Sequence, residues 1–171
     1  VVDVGAGRGE LLTGIHHCLP DGLRRRTRLT AVEVRPMPVT APAAGDIQWL
    51  ADVPHEIDGL VLANEWLDNL AVDVVTQTGP DAEPRYVTVA PRSGVESVGA
   101  VISDEDRSWL DNWWPMSTSD LRTVAEVGRR RDEAWAKVVT RLTRGVAVAI
   151  DYSLTYSERA GGAFAQGTLT G

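Results

Sequence analysis

The chain is poor in several residue types: 171 residues contain one cysteine, one phenylalanine and two methionines, and Lys137 is the single lysine. A lone thiol, Cys18, excludes an internal disulfide and suits a reducing compartment. With one lysine, arginine carries nearly all the positive charge, and the alanine and valine excess beside it points to a high-GC bacterial coding sequence. Lys+Arg 17 against Asp+Glu 24 leaves a net charge of −7, so most of the surface repels a polyanion and no nucleic-acid partner is expected. No apolar run approaches the ~20 residues that cross a bilayer, and no signal-peptide pattern precedes the first apolar segment. The expectation is a bacterial cytoplasmic protein with no membrane partner. His16, His17 and Cys18 are consecutive, but neighbouring helix positions point apart and no partner ligands follow at zinc spacing, so no metal site is expected.

What is present suffices for one domain over residues 1–171, since 43% apolar content at this length can build one ordinary core. Val1–Val4 read as a buried strand and Glu10–Leu19 as a helix with Leu11, Leu12, Ile15 and Leu19 on one face. Strands follow in "TRLTAVEV", "DIQWLADVP" and "IDGLVLANE", with the proline-rich "PMPVTAPAAG" as a loop. Alternation of strand and helix predicts a doubly wound parallel α/β sheet. "AVDVVTQTG" and "PRYVTVAPRSG" form a β-hairpin, and "SDEDRSWLDNWW" a helix capped by Ser103, so an insertion of about 72–118 interrupts the sheet. "SDLRTVAEVGRRRDEAWAKVVTRLTRG" predicts the longest helix, with Leu121, Val124, Trp135, Val138, Val139 and Leu142 on a stripe and Gly145 as its stop. "GVAVAIDYS" is the fifth strand. Trp109, Trp113, Trp114 and Trp135 are spaced for packing rather than for an aromatic cage. A start inside a core strand and an end at "GTLTG" read as a piece of a longer, incomplete sheet whose last strand leaves an edge open to another segment or to an oligomer.

The first strand runs into "DVGAGRGE". A dinucleotide fingerprint requires G-x-G-x-x-G, whereas Gly5, Gly7 and Gly9 give G-x-G-x-G and Glu10 occupies the place of the third dinucleotide glycine. A carboxylate there would face a pyrophosphate. No Lys-Ser or Lys-Thr pair follows, which excludes a Walker loop. Asp3, ahead of the glycines, suits a cationic ligand without phosphate, and Glu33 lies 24 residues after Gly9, near the ~20-residue offset of a ribose-binding acid. "DVGAGRG" resembles the Asp/Glu-x-Gly-x-Gly-x-Gly end of the first strand in class I methyltransferases, which implies S-adenosylmethionine, whose ammonium and sulfonium suit such acids. Asp3, Gly5, Ala6, Gly7, Gly9 and Glu33 are the candidate cofactor residues, with Asp52 for the adenine amino group and Asn64 near the methionine end.

"ANEWLDNLAVDVV" follows the fourth strand and holds Asn64, Glu65 and Asp68 where cofactor and acceptor would meet. If a helical turn starts there, the two carboxylates lie three apart on one face and can hold one cation. With "DVGAGRGEL" and "AIDYSLTYSERAGGAFAQGTLTG", this stretch is similar to the signatures of the MidA-like class I methyltransferases. The resemblance spans nearly the whole chain. Ala71 and Ser153 depart from it, standing where proline and glycine are common in the family. The mitochondrial relative in that family is an arginine methyltransferase that assists respiratory complex I assembly. The resemblance implies a Rossmann-like class I fold, S-adenosylmethionine as cofactor, and N-methylation of arginine in a protein substrate.

On this basis Glu65 and Asp68 are the candidate catalytic pair, aligning a guanidinium whose pKa above ~12 makes it a poor nucleophile. Asp151 and Tyr152, after the fifth strand, are the candidate acceptor-binding residues. Two alternatives stay open: methylation of a small molecule, and a non-catalytic assembly module on the same fold.

Overall fold

The computed structural model describes residues 1–35, 47–79, 81–116, 123–152, 155 and 157–158. They divide into two compact units, one of Val1–Leu70 with Glu133–Tyr152, the other built on Ala71–Asp132. The expected proline-rich loop and the Gly-Thr-Leu stretch near the end of the chain lie outside the described residues.

The first unit is a five-stranded sheet. β1 (Val2–Val4) leads into α1 (Glu10–Cys18), a short α2 (Asp21–Arg24), β2 (Leu29–Val32), β3 (Ile47–Leu50) and β4 (Ile57–Asn64). The order across the sheet is β3, β2, β1, β4 and then β9 (Leu142–Ile150), every pairing parallel. Alternate residues of β2 enter different clusters: Val32 packs with Val2, Val4, Val61 and Val138, whereas Leu29 and Ala31 pack with Ala6 and Leu12. Both faces are therefore covered, as a doubly wound parallel sheet requires. Of the expected apolar face of α1, Leu12 is fully buried while Leu11 is exposed, so this helix packs along a narrower stripe than its sequence suggests.

The second unit is an antiparallel sheet in the order β7 (Glu96–Val101), β6 (Arg85–Val89), β5 (Asp73–Gln77), β8 (Thr123–Val127), with α3 (Asp104–Trp113) against it. β5 and β6 are the expected hairpin, and the Ser103 Oγ accepts the Asp106 N–H at 3.2 Å as the expected cap. Asp106, almost fully buried, accepts from the Tyr86 hydroxyl at 2.7 Å and from Arg129 Nε at 2.8 Å. Burial opposes its ionisation, but these two bonds win and hold its carboxyl below the ordinary carboxylate range. Trp109 and Trp114 pack on this unit's core, Trp135 on that of the first, and Trp113 is exposed.

One expected element is corrected. The long helix from 119 to 145 is instead β8, then α4 (Arg129–Val139), then the start of β9. In β8, Ala125 and Val127 are buried while Val124 and Glu126 are half-buried, a period of two. Gly128 then ends the strand with the Trp109 indole packed over it. Gly145 is no helix stop but a mid-strand residue paired with Gly59 of β4. Leu121 of the expected stripe lies outside the described residues.

Candidate functional site

The strand order reverses at β1. The chain builds outward through β2 and β3, then returns to the other side of β1 with β4 and β9. In open α/β sheets the crevice beyond the carboxyl ends at such a reversal is where ligands bind. The segments that leave those ends are Gly5–Gly9 from β1, Glu33 from β2, Glu65–Leu70 from β4 and Asp151–Tyr152 from β9. All belong to the first unit.

The glycine turn is made possible by positive φ at Gly5, Gly7 and Gly9 (75°, 57° and 84°), a region other residues enter at a cost. It is fastened to β2, because the Gly5 and Ala6 N–H groups both donate to the Val32 carbonyl, at 2.9 and 3.2 Å. Glu33 Oε2 accepts the Gly7 N–H at 3.0 Å, and its Oε1 accepts from Arg35 N–H at 3.1 Å. The glycine turn and the candidate ribose acid thus meet. Two tryptophans line the turn: a Cβ on Gly5 would stand 2.5 Å from Trp66 Cδ1, and one on Gly9 would stand 3.2 Å from Trp49 Cζ2. Neither contact was expected from the sequence, although Trp66 stands inside the "ANEWLDNL" stretch already singled out.

Asp3 lies in the middle of β1, paired with Ala31 and Leu62, and is only 3% exposed. Burial pushes its carboxyl up to about 6. Among the described residues no hydrogen-bond donor or cation meets it. A buried acid left without a partner fits a cationic ligand group, which is the chemistry S-adenosylmethionine would bring.

Asp52 is engaged elsewhere. Both of its oxygens accept from Lys137 Nζ, at 2.8 and 2.9 Å, and the Val53 N–H donates to Oδ1 at 2.8 Å. The Lys137 bond, seconded by Val53, lowers its carboxyl from the ordinary value. An adenine amino group would have to share this carboxylate with the ammonium.

Asn64 ends β4, exposed and paired with Ile150. No helical turn starts after it. Glu65 takes φ 47°, the single positive value for a non-glycine among the described residues, and the chain continues in tight turns, Asn69 N–H to Trp66 O at 3.2 Å and Leu70 N–H to Leu67 O at 3.1 Å. Such backbone stores roughly 1–3 kcal/mol and clusters at functional sites. The two candidate catalytic acids are joined through Asn69, whose Nδ2 donates to the Glu65 carbonyl at 2.7 Å and to Asp68 Oδ1 at 2.9 Å. Across the sheet, Asp151 Oδ2 accepts from the Leu67 and Asp68 N–H groups at 2.8 and 3.3 Å. The Tyr152 hydroxyl, on a side chain left largely in solvent, donates to Glu65 Oε1 at 3.2 Å. The Glu65 charge, then that hydrogen bond, raises the phenol above its ordinary value, so it remains a donor at neutral pH. The structure therefore gathers Glu65, Asp68, Asp151 and Tyr152 into one cluster and Glu33 with the glycine turn into another. Asp52 goes to Lys137.

A recess of about 420 Å³ in the second unit, lined by Gln77, Glu83, Arg107 and Leu110 among others, contains none of these residues.

Residues 1–171 match the family described as "Putative S-adenosyl-L-methionine-dependent methyltransferase". No curated protein matches the chain. Among solved structures, it is similar to a "likely methyl transferase" from Burkholderia thailandensis bound to S-adenosyl-homocysteine, with 22% identity and a TM-score of 0.68 over 90% of this chain. A native structure of an uncharacterized protein of the same superfamily and organism matches with 22% identity and a TM-score of 0.69, again over 90% of this chain. The chain spans 41% and 43% of the lengths of those two proteins.

Proposed function

The chain belongs to this S-adenosyl-L-methionine-dependent methyltransferase family, and from that premise we propose that its MidA-like signatures mark a transferase that N-methylates arginine in a protein substrate. The observation that carries the proposal is the pairing, at the carboxyl ends of the parallel strands, of a glycine turn tied to Glu33 with a strained, doubly acidic turn at Glu65–Asp68.

In this reading Gly5, Ala6, Gly7 and Gly9 admit the methionine portion to the backbone, and Asp3 supplies the buried negative charge opposite its cationic end. Glu33 takes the ribose hydroxyls. Asp52 offers the adenine contact in competition with Lys137, and Asn64 shapes the methionine end. When bound, S-adenosylmethionine supplies a methyl carbon activated by its sulfonium. Glu65 and Asp68 receive the guanidinium, align it, and draw its positive charge away from the attacking nitrogen. Tyr152 occupies one oxygen of Glu65 and leaves the other for that cation. Tyr152 stands on the acceptor side of the site, next to the β4 turn that Asp151 meets.

Calorimetry on the full-length protein with S-adenosylmethionine, S-adenosylhomocysteine and a nicotinamide dinucleotide tests the cofactor half. Binding of both sulfur ligands and not of the dinucleotide is expected; the reverse pattern ends the proposal. Glu65→Gln tests the acceptor half: arginine methylation should fall by at least ~100-fold, as for a lost transition-state charge contact, with S-adenosylhomocysteine affinity nearly unchanged. Retained arginine methylation in that variant would remove Glu65 from the acceptor contact, and a wild-type protein that binds both sulfur ligands but methylates no arginine would reassign the acceptor to a small molecule.

A further inference from the structure

The turn after β4 does not hold its shape alone. Glu65 adopts left-handed backbone although it has a full side chain, and such a conformation survives only where neighbours fix it. The neighbours come from the end of β9: the Glu65 N–H donates to the Ile150 carbonyl at 2.8 Å, and the next residue, Asp151, meets the turn with its carboxylate.

Both oxygens of that carboxylate are engaged by backbone N–H groups. Oδ2 accepts the Leu67 N–H at 2.8 Å and the Asp68 N–H at 3.3 Å, and Oδ1 accepts the Tyr152 N–H at 2.8 Å. Three backbone donors converge on one half-buried acid 83 and 84 residues away from two of them. A carboxylate bonds such donors more strongly than a neutral acceptor does, and an amide in its place has only one acceptor oxygen.

We propose that Asp151 is a positioning residue: it locks the Leu67–Asp68 turn to the end of β9 and so holds Glu65 and Asp68 in the arrangement that receives the methyl acceptor. Its part in the reaction rests on the assignment of Glu65 and Asp68 given above; the lock itself does not. Asp151 thereby acts through the acids of the β4 turn, and the glycine turn, fastened to β2 through the Gly5 and Ala6 N–H groups and to Glu33 through the Gly7 N–H, keeps those supports.

Two measurements on the full-length protein test this. Amide hydrogen exchange reads the lock without any substrate: in Asp151→Ala the Leu67 and Asp68 amides should exchange at least ~10-fold faster, the effect of losing a charge-assisted bond, while the Gly7 amide is unchanged. Unchanged exchange at Leu67 and Asp68 overturns the proposal. Kinetics read its consequence: kcat should drop ~10- to 100-fold with the acceptor KM and the S-adenosylhomocysteine affinity within ~3-fold, and Asp151→Asn should recover part of the loss. A raised acceptor KM with kcat intact would instead make Asp151 a substrate contact and overturn the positioning role. If the wild-type protein binds no sulfur ligand, the functional assignment fails, and the exchange result still decides the lock. Should Asp151→Ala not fold, Asp151→Asn carries both measurements, with a smaller change in the same direction.

Discussion

Asp3 sets the most consequential balance at the scale of single residues. An acid placed mid-strand between Ala31 and Leu62 is stripped of water, and its carboxyl rises from 3.8 to about 6. Because the folded value is raised, the unfolded chain releases this proton first as pH climbs. Stability from this group is therefore fully present below about 4, falls between about 4 and 6, and stays lost above that window. The loss is roughly 3 kcal/mol at neutral pH. Asp3→Asn should remove this slope: in urea titrations from pH 4 to 7, the variant gains on the wild type by up to ~3 kcal/mol at the upper end. The same variant should bind S-adenosylmethionine more weakly, since a cation opposite Asp3 would pull its carboxyl back down. Binding at pH 6 should accordingly release a fraction of a proton, seen as a buffer-dependent calorimetric heat, and release none at pH 8. A heat independent of buffer at pH 6 would detach Asp3 from the ligand.

Among the elements, β9 fastens the β4 turn, since its end carries Ile150, Asp151 and Tyr152 to it. Its pairing with β4 depends on two glycines facing each other, Gly59 and Gly145. Gly145 has φ 127°, and a Cβ there would overlap the Gly59 carbonyl, a backbone group that cannot swing aside. Gly145→Ala should destabilise the protein by about 3 kcal/mol or more, combining overpacking with a disfavoured backbone. Gly59→Ala has open space around its Cβ and should cost less. Chemical denaturation of the two variants gives the comparison; equal losses would mean that backbone conformation alone decides.

The same strand shows where sequence is legible. The parallel strands were readable because each is a short apolar run between breakers, and the glycine turn with Glu33 because its spacing is local and rigid. The helix assigned across 119–145 failed because Trp135, Val138, Val139 and Leu142 keep helical spacing, whereas the two-residue period of "TVAEV" occupies only one strand's length. β7 was missed for a related reason: "ESVGAV" is short, mostly exposed and carries a glycine. Around the candidate site, the sequence offers the acids but not the groups they bond. Lys137 reaches Asp52 over 85 residues and Asp151 reaches Leu67 over 84, and no local pattern encodes contacts at that separation.

For the whole molecule the governing quantity is charge. A net −7 spread over a chain with a single lysine creates a field that attracts cations and repels anions on approach. The acids after β4 and β9 add to it where an acceptor would arrive. Exposed charges are screened within ~10 Å at 0.1 M salt and ~3 Å at 1 M. Under the proposed function, a protein substrate presenting arginine among basic neighbours would be steered by that long-range field and should lose the steering as salt rises. S-adenosylhomocysteine carries no net charge at neutral pH and is held at short range, so its affinity should scarcely respond. Raising salt from 50 mM to 500 mM should therefore increase KM for an arginine peptide by ~10-fold or more, with kcat and the S-adenosylhomocysteine affinity within ~2-fold. The measurement also separates acceptor classes, because a small neutral acceptor feels no such field. A KM that stays flat across this range would remove the basic protein substrate and leave the cofactor assignment standing.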